Sequence, residues 1–418
     1  MTFFTYHAGE LHAEQVPLSR VAQQVGTPAY VYSRAAIESQ WRALDDAFGD
    51  YPHTICYAVK ANSNIAILNL LARLGSGFDI VSEGELRRVL AAGGDPAKVV
   101  YSGVAKSVHE LEFALKSKVR SINIESVAEL HRLQTVAASL GVTASIAIRV
   151  NPDVDPETHP YISTGMEKAK FGVTMEAAFD AYKLASTMPN IEVHGIACHI
   201  GSQITKTSPF TDALEIVLNM VKRLAQAGIH IQQLDLGGGL GINYKGETPP
   251  AAEDYVQAMI NGVASHGIDL PIAIEPGRYI AGNSGVMLTT VEYTKHNTSK
   301  NFAIVDAGMN DLMRPALYQA HHEIIPVRTD SKAEPASYDV VGPVCESADV
   351  LGHERKLALQ SGDLLAVCSA GAYSFAMSNN YNSRTRPPEV MIDGDQIHVI
   401  RSRETFEQLI QGEALLPD

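Results

Sequence analysis

The stretch SINIESVAELHRLQTVAASLGVTASIAIRV, residues 121–150, decides the fold. It opens on a short apolar segment, Ser121–Ile124, passes through Val127–Leu140 with apolar residues at helical spacing, and ends on a β-branched run, Ser145–Val150. Strand, helix and strand in that order form a crossover unit that sets the two strands parallel. The alternation extends outward through Thr54–Val59, Gly77–Val81 and Val99–Val104 on one side, and Val193–Ile200, Gln232–Leu236 and Ile272–Ile274 on the other. Helical segments such as Glu83–Ala92, Val108–Lys116, Met175–Thr187 and Pro209–Ala227 lie between them. Eight strands alternating with helices predict an α/β fold, a (β/α)8 TIM-like barrel over residues 34–280, close to the ~250 residues that such barrels occupy.

After Gly285 the pattern turns β-rich, with Val286–Tyr293, Phe302–Val305, Tyr338–Val341, Leu364–Cys368 and Val390–Ile392 separated by turn residues. A second, mostly β C-terminal domain is expected, made of residues 1–33 and 281–418, because the strand-like Ala29–Tyr32 has too few neighbours to stand alone. Two domains also suit 418 residues, since one hydrophobic core stops growing at about 250–300 residues. The 33 Lys+Arg against 47 Asp+Glu give a net charge of −14 with no basic run, which argues against nucleic acid or an anionic membrane as partner. The amino terminus lacks the charged and apolar regions of an export signal, and no apolar run is long enough to span a membrane. Four cysteines without C-x-x-C spacing fit a reducing, cytoplasmic setting and no zinc site.

Barrel active sites lie at the carboxyl ends of the strands, and that rule selects the residues able to do chemistry. Lys60 follows strand one, Asp79 sits on strand two, and His199 closes strand six with Ser202 just beyond. Gly237, Gly238 and Gly239 follow strand seven, and Glu275, Pro276, Gly277 and Arg278 follow strand eight. Taken singly, each has an ordinary structural role: a solvated cap, a core imidazole, a tight turn. Together they combine a phosphate-binding loop, an amine, an imidazole and a carboxylate, which points to pyridoxal 5'-phosphate. Lys60 would hold the cofactor covalently, Glu275 would keep its ring nitrogen protonated, and His199 would lie on the ring face.

The motifs Tyr57-Ala-Val-Lys60-Ala-Asn62, His199-Ile-Gly-Ser-Gln203, Leu236-Gly-Gly-Gly-Leu240 and Glu275-Pro-Gly-Arg278 resemble the alanine-racemase-type barrel of fold type III pyridoxal phosphate decarboxylases. Gly308 through Tyr318, Cys345-Glu346-Ser-Ala-Asp349 and Gly371-Ala-Tyr373 narrow the resemblance to the diaminopimelate decarboxylase family, in unbroken order from about residue 28 to 390. The resemblance implies decarboxylation of meso-2,6-diaminopimelate to L-lysine, the last step of that biosynthetic route. It implies that Gly237, Gly238, Gly239, Ser202, Arg278 and Tyr373 surround the cofactor phosphate or the neighbouring substrate. It makes Cys345 the proton donor and gives substrate contacts to Arg278, Arg314, Tyr318, Glu346 and Tyr373. It further implies a head-to-tail homodimer with shared active sites. A decarboxylase of ornithine, lysine or a related basic amino acid is the alternative within the cofactor class, and a non-catalytic cofactor carrier or interaction protein the alternative outside it.

A thiol with a reference pKa of about 8.5 remains mostly protonated near neutrality, so Cys345 can donate a proton; Cys56, Cys198 and Cys368 lie in apolar runs and read as small buried hydrophobes. Arg314 can clamp the distal carboxylate of such a substrate, and Glu346 can take the distal ammonium. His321 and His322 are adjacent, lack a third partner at ligand spacing, and read as surface or interface histidines rather than metal ligands. The polar connection Asn151–Lys170 is long enough to act as a closing lid.

Overall fold

The computed structural model describes residues 3–155 and 170–418. The chain divides into two compact units. The first comprises Glu38–Asn243 and Glu247–Ile280; the second comprises the residues up to Ile37, Tyr244–Gly246 and Ala281–Asp418.

The first unit is the barrel. Its strands are β1 (His53–Ala58), β2 (Gly77–Ile80), β3 (Val99–Tyr101), β4 (Ser121–Ile124), β5 (Ala144–Asn151), β6 (Ile191–Cys198), β7 (Gln233–Asp235) and β8 (Ile272–Ile274). Each pairs in parallel with the next, and β8 pairs with β1, so the sheet closes with eight strands and no free edge. Strands covered on both faces carry apolar residues almost throughout, which is why they read as short continuous runs. The strand expected over Val99–Val104 ends at Tyr101, because Gly103 adopts φ +101° and turns the chain. Four helices begin where a hydroxyl satisfies an orphan amide: Ser82, Ser107, Ser126 and Thr174 each accept from the N–H three residues on. The helix Val127–Leu140 stops at Gly141, whose φ of +65° suits a residue without a side chain.

The barrel's upper rim is tied by a buried ammonium. Lys106 has 3% of its surface exposed, and its Nζ donates to the Gly103 carbonyl at 2.7 Å, the Asn123 carbonyl at 2.8 Å and Glu129 Oε1 at 2.5 Å. All three of its protons are used, and they join the loop after β3 and the strand β4 to the helix Val127–Leu140. The other Glu129 oxygen accepts the Glu125 N–H at 2.8 Å.

The second unit is mostly β. Its principal sheet runs Val350–Leu357, Ala336–Val341, Asn301–Val305, Gly285–His296, Ala29–Ser33, Glu389–Asp393, Gln396–Arg401. The N-terminal strand Ala29–Ser33 lies in the middle, antiparallel to Gly285–Leu288 and parallel to Glu389–Ile392. The expectation that the amino-terminal strand joins the β-rich part of the chain is therefore met. Gly285–His296 also pairs with Leu364–Val367, which in turn pairs with Ile324–Pro326. Phe4, Leu11, Val16 and Leu18 pack with Val31, Val286, Leu288, Val327 and Val390 in one core. Among the described residues no helix is long and apolar enough to cross a membrane.

Removing the Lys106 ammonium leaves Glu129 charged, buried and short of a partner. We expect Lys106→Met to destabilise the barrel by about 3–5 kcal/mol, and a second change, Glu129→Leu, to recover most of that loss. Denaturant unfolding followed by tryptophan and far-UV signals measures both, and a single variant within about 1 kcal/mol of the parent would reject the account.

Candidate active site

Strand β1 runs into a single 3-10 turn, Val59–Ala61, which sets Lys60 at the carboxyl end of the barrel. The Ala58 N–H donates to the Pro276 carbonyl at 3.1 Å, fastening this turn to the segment after β8. Gly277 packs closely beside it, since a β-carbon there would lie 3.1 Å from that of Ala58 and 3.0 Å from that of Ala61. Lys60 Nζ pairs with the Asp79 carboxylate. The lysine side chain is 37% exposed and its counter-ion wholly buried on β2, so the amine is reachable and the acid is not.

The three glycines after β7 place the other groups. At Gly238 a β-carbon would fall 2.1 Å from the Glu275 carbonyl oxygen, so no other residue fits without moving the backbone. Gly237 and Gly239 adopt φ of +66° and +115°. The Gly237 N–H donates to Asp235 Oδ1 at 3.1 Å, and its carbonyl accepts the Glu275 N–H at 2.8 Å. The Gly238 N–H donates to His199 Nδ1 at 3.1 Å. The Gly237 and Gly238 amides thus orient side chains, while the Gly239 N–H has no acceptor among the described residues. Arg278 donates to the Ser202 hydroxyl at 2.9 Å from Nη2 and 3.3 Å from Nε.

Because His199 Nδ1 accepts, the neutral ring carries its proton on Nε2. Burial holds its pKa well below the usual histidine value, and the charges of Arg149 and Lys60 push the same way. The imidazole is neutral at physiological pH. Glu275 moves oppositely: burial raises its carboxyl well above the ordinary range, and Asp235 and Asp79 add to the rise. Asp235 is itself raised by burial. Both groups are thus biased toward their protonated forms. Glu275 Oε1 is buried with no hydrogen-bond partner among the described residues.

Lys60, Asn123, Arg149, His199 and Glu275 line one cavity of about 410 Å3. Three of the groups around it were not picked out from sequence. Asp235 accepts from Asn123 Nδ2 at 3.2 Å, and Arg149 pairs with Glu125 at 3.0 Å. Asp235, Asn123 and Arg149 lie at or near the carboxyl ends of β7, β4 and β5, so the strand-end rule applied to polar residues inside apolar runs would have found them. The cavity fits pyridoxal phosphate: a reachable primary amine, a neutral imidazole, and an unpartnered carboxyl oxygen able to share a proton with a ring nitrogen.

The remaining expected residues belong to the β-rich unit. Cys345 and Glu346 are exposed on a turn built around Asp349, which accepts from the Val344 N–H at 2.7 Å and the Met309 N–H at 2.6 Å. The Cys345 N–H donates to Asn382 Oδ1 at 2.8 Å. Cys56, Cys198 and Cys368 are buried, and burial pushes the thiols of Cys198 and Cys368 up to about 12. Arg314 is buried at the start of the helix Arg314–Tyr318, and Tyr373 takes a φ of +56° after the strand Leu364–Val367. His321 is half-buried, but His322 is wholly buried, which corrects its reading as a surface histidine. Most of the expected lid, residues 156–169, lies outside the described residues. Among the described residues no three His, Cys, Asp or Glu side chains are grouped to hold a metal ion.

Residues 34–282 match the family model described as "Pyridoxal-dependent decarboxylase, pyridoxal binding domain". The chain is 56% identical over 419 residues to the diaminopimelate decarboxylase of Vibrio cholerae and 57% identical over 417 residues to that of Pseudomonas aeruginosa, covering 100% of each chain in both cases. It superposes with a TM-score of 0.91, at 42% identity, on the crystal structure of diaminopimelate decarboxylase from Helicobacter pylori complexed with L-lysine, covering 94% of this chain and 98% of that one. The chain belongs to the pyridoxal-dependent decarboxylases, and within them to the diaminopimelate decarboxylase family.

Proposed function

We propose that this chain decarboxylates meso-2,6-diaminopimelate to L-lysine and carbon dioxide, as a carboxy-lyase using pyridoxal 5'-phosphate at the last step of lysine biosynthesis. One observation carries the reading: an amine, a neutral imidazole and a proton-holding carboxyl line a single cavity in a chain that matches diaminopimelate decarboxylases from end to end. Pyridoxal phosphate, when bound, supplies an electron sink for the pair left on the α-carbon as carbon dioxide departs.

Lys60 would hold the cofactor through its amine, which Asp79 keeps in place at the barrel mouth before the cofactor is attached. His199 offers a flat uncharged face; a cation there would compete with the positive ring for the developing electron pair. Glu275 keeps a proton at the ring nitrogen, since a carboxyl raised by burial shares that proton readily. Gly237, Gly238, Gly239, Ser202, Arg278 and Tyr373 surround the cofactor phosphate or the neighbouring substrate. Cys345 Sγ gives its proton to the α-carbon after carbon dioxide has left, and the thiolate recovers one from solvent. Arg314 clamps the distal carboxylate, Glu346 receives the distal ammonium, and Tyr318 lines their pocket.

We further infer a cytoplasmic head-to-tail homodimer in which Cys345 and Glu346 of the partner subunit complete each site. Lys60 belongs to the barrel unit, Cys345 and Glu346 to the other, and both of the latter are exposed and so available to a second chain. A two-fold dimer then holds two equivalent composite sites.

Purified enzyme supplied with meso-diaminopimelate, L-lysine and D- and L-ornithine should release carbon dioxide preferentially from the first; preferred turnover of ornithine would overturn the substrate assignment. Lys60→Ala should abolish the visible cofactor absorbance and borohydride trapping, and an unchanged spectrum would refute the attachment site. Cys345→Ala should keep the absorbance and lose about 10²–10⁴-fold in turnover, the usual contribution of a positioned general acid. Each of these two variants is inactive alone, yet mixing them with subunit exchange should regenerate one intact site per mixed dimer. Exchange verified by mass with no returning activity would place Lys60 and Cys345 of one site in the same chain.

A further inference from the structure

We propose that His322 is the positioning residue for Arg314, fixing the guanidinium in the orientation that receives the substrate's distal carboxylate. The inference rests on the reading of Arg314 as that clamp. His322 lies between the helix Arg314–Tyr318 and the strand Ile324–Pro326 and has no exposed surface. Its Nε2 is 2.8 Å from Arg314 Nη1, and its Nδ1 is 2.8 Å from the Cys368 carbonyl oxygen. Arginine can only donate and a carbonyl can only accept, so the assignment is forced. Nε2 offers its lone pair to Arg314, Nδ1 carries the proton to Cys368, and the ring is a neutral imidazole in a single tautomer.

The guanidinium is held on a second side. Its central carbon lies 4.7 Å from the centroid of the Tyr244 ring, and Tyr244 meets the His322 ring edge-on at 5.4 Å and 77°. One hydrogen bond along an edge and one aromatic ring against a face together fix the plane of a guanidinium, and with it the direction of its other N–H donors. The backbone behind the histidine is fixed as well: Arg355 Nη2 donates to the His322 carbonyl at 2.9 Å and lies 3.1 Å from His321 Nδ1. The charged neighbours of His322 therefore include the cations Arg314 and Arg355, with Glu323 engaged by His321 at 3.1 Å. A proton on Nε2 would oppose Arg314 directly and break its hydrogen bond.

A plain packing role would make His322 matter for stability alone. A positioning role makes it matter for the distal carboxylate, and L-lysine carries that group whereas 1,5-diaminopentane does not. The test measures both as competitive inhibitors, together with KM and kcat for meso-diaminopimelate, in the pyridoxal phosphate-loaded enzyme. His322→Phe keeps the ring against Tyr244 and removes both hydrogen bonds. It should weaken L-lysine binding and raise KM by about 10- to 100-fold, as expected for losing a hydrogen bond to a charged group, with kcat within about twofold and diaminopentane unaffected. His322→Gln, whose amide can accept from Arg314 and donate to the Cys368 carbonyl, should recover most of the loss. In an Arg314→Ala background His322→Phe should add nothing further.

If Arg314→Ala weakens both inhibitors equally, the clamp reading fails and this proposal falls with it. If Arg314→Ala is selective and His322→Phe is not, the proposal alone is overturned. Should His322→Phe fail to fold, nitrogen-15 spectra of the parent enzyme's His322 ring decide: a protonated Nδ1 with bare Nε2 supports the assignment, and a protonated Nε2 refutes it.

Discussion

A β-carbon at position 238 would lie 2.1 Å from the Glu275 carbonyl, and the barrel mouth depends on that closeness. Because the loop after β7 can lie directly on the segment after β8, its amides reach inward to Asp235 and His199, and its carbonyl reaches across to the Glu275 amide. Three chemically different side chains are thus set by one side-chain-free backbone. A loop with side chains would have to stand off, and the imidazole, the acid pair and the cavity they line would lose their common frame.

The same desolvation acts on those side chains in opposite senses. It pushes His199 toward its neutral form and Glu275 toward its protonated form, so each is uncharged for one reason: neither can be hydrated. The mouth still contains full charges, but in pairs. Lys60 faces Asp79 and Arg149 faces Glu125, while burial biases both Asp235 and Glu275 toward their protonated forms. A buried site is tolerable when each charge has a partner, and chemically useful when one proton is left to share.

The barrel was legible because its signal is local: eight apolar runs, each followed by a helix, with boundaries displaced by no more than three residues where a glycine such as Gly103 bends the chain. Lys60, His199, Glu275 and the glycines were legible by position at strand ends. Asp235, Asn123 and Arg149 were not, because a polar residue inside an apolar run looks like a tolerated exception until its partners, up to 112 residues away, are seen. His322 was misread for a related reason. Adjacent histidines on an extended segment face opposite ways, but which one turns inward is decided by the carbonyl of Cys368, 46 positions later. The amino-terminal sheet of Phe4–His7, Glu10–Ala13 and Val16–Pro17 was missed as well, since Leu11 bonds to Val327 and Thr329 to Gly9.

The placement of Ala29–Ser33 between Gly285–His296 and Glu389–Asp393 bears on how the protein is made. The barrel strands pair mostly with sequence neighbours, and all have emerged by residue 274. The strand Ala29–Ser33 finds its partners only after about 250 and 360 further residues have been synthesised. It leaves the ribosome early with Tyr30, Val31 and Tyr32 unpaired, gains its first partner with Gly285–Leu288 and its second only with Glu389–Ile392. Chain order therefore leaves one edge of this early strand open until synthesis is nearly complete, and with it a place for strand-edge association in the nascent chain.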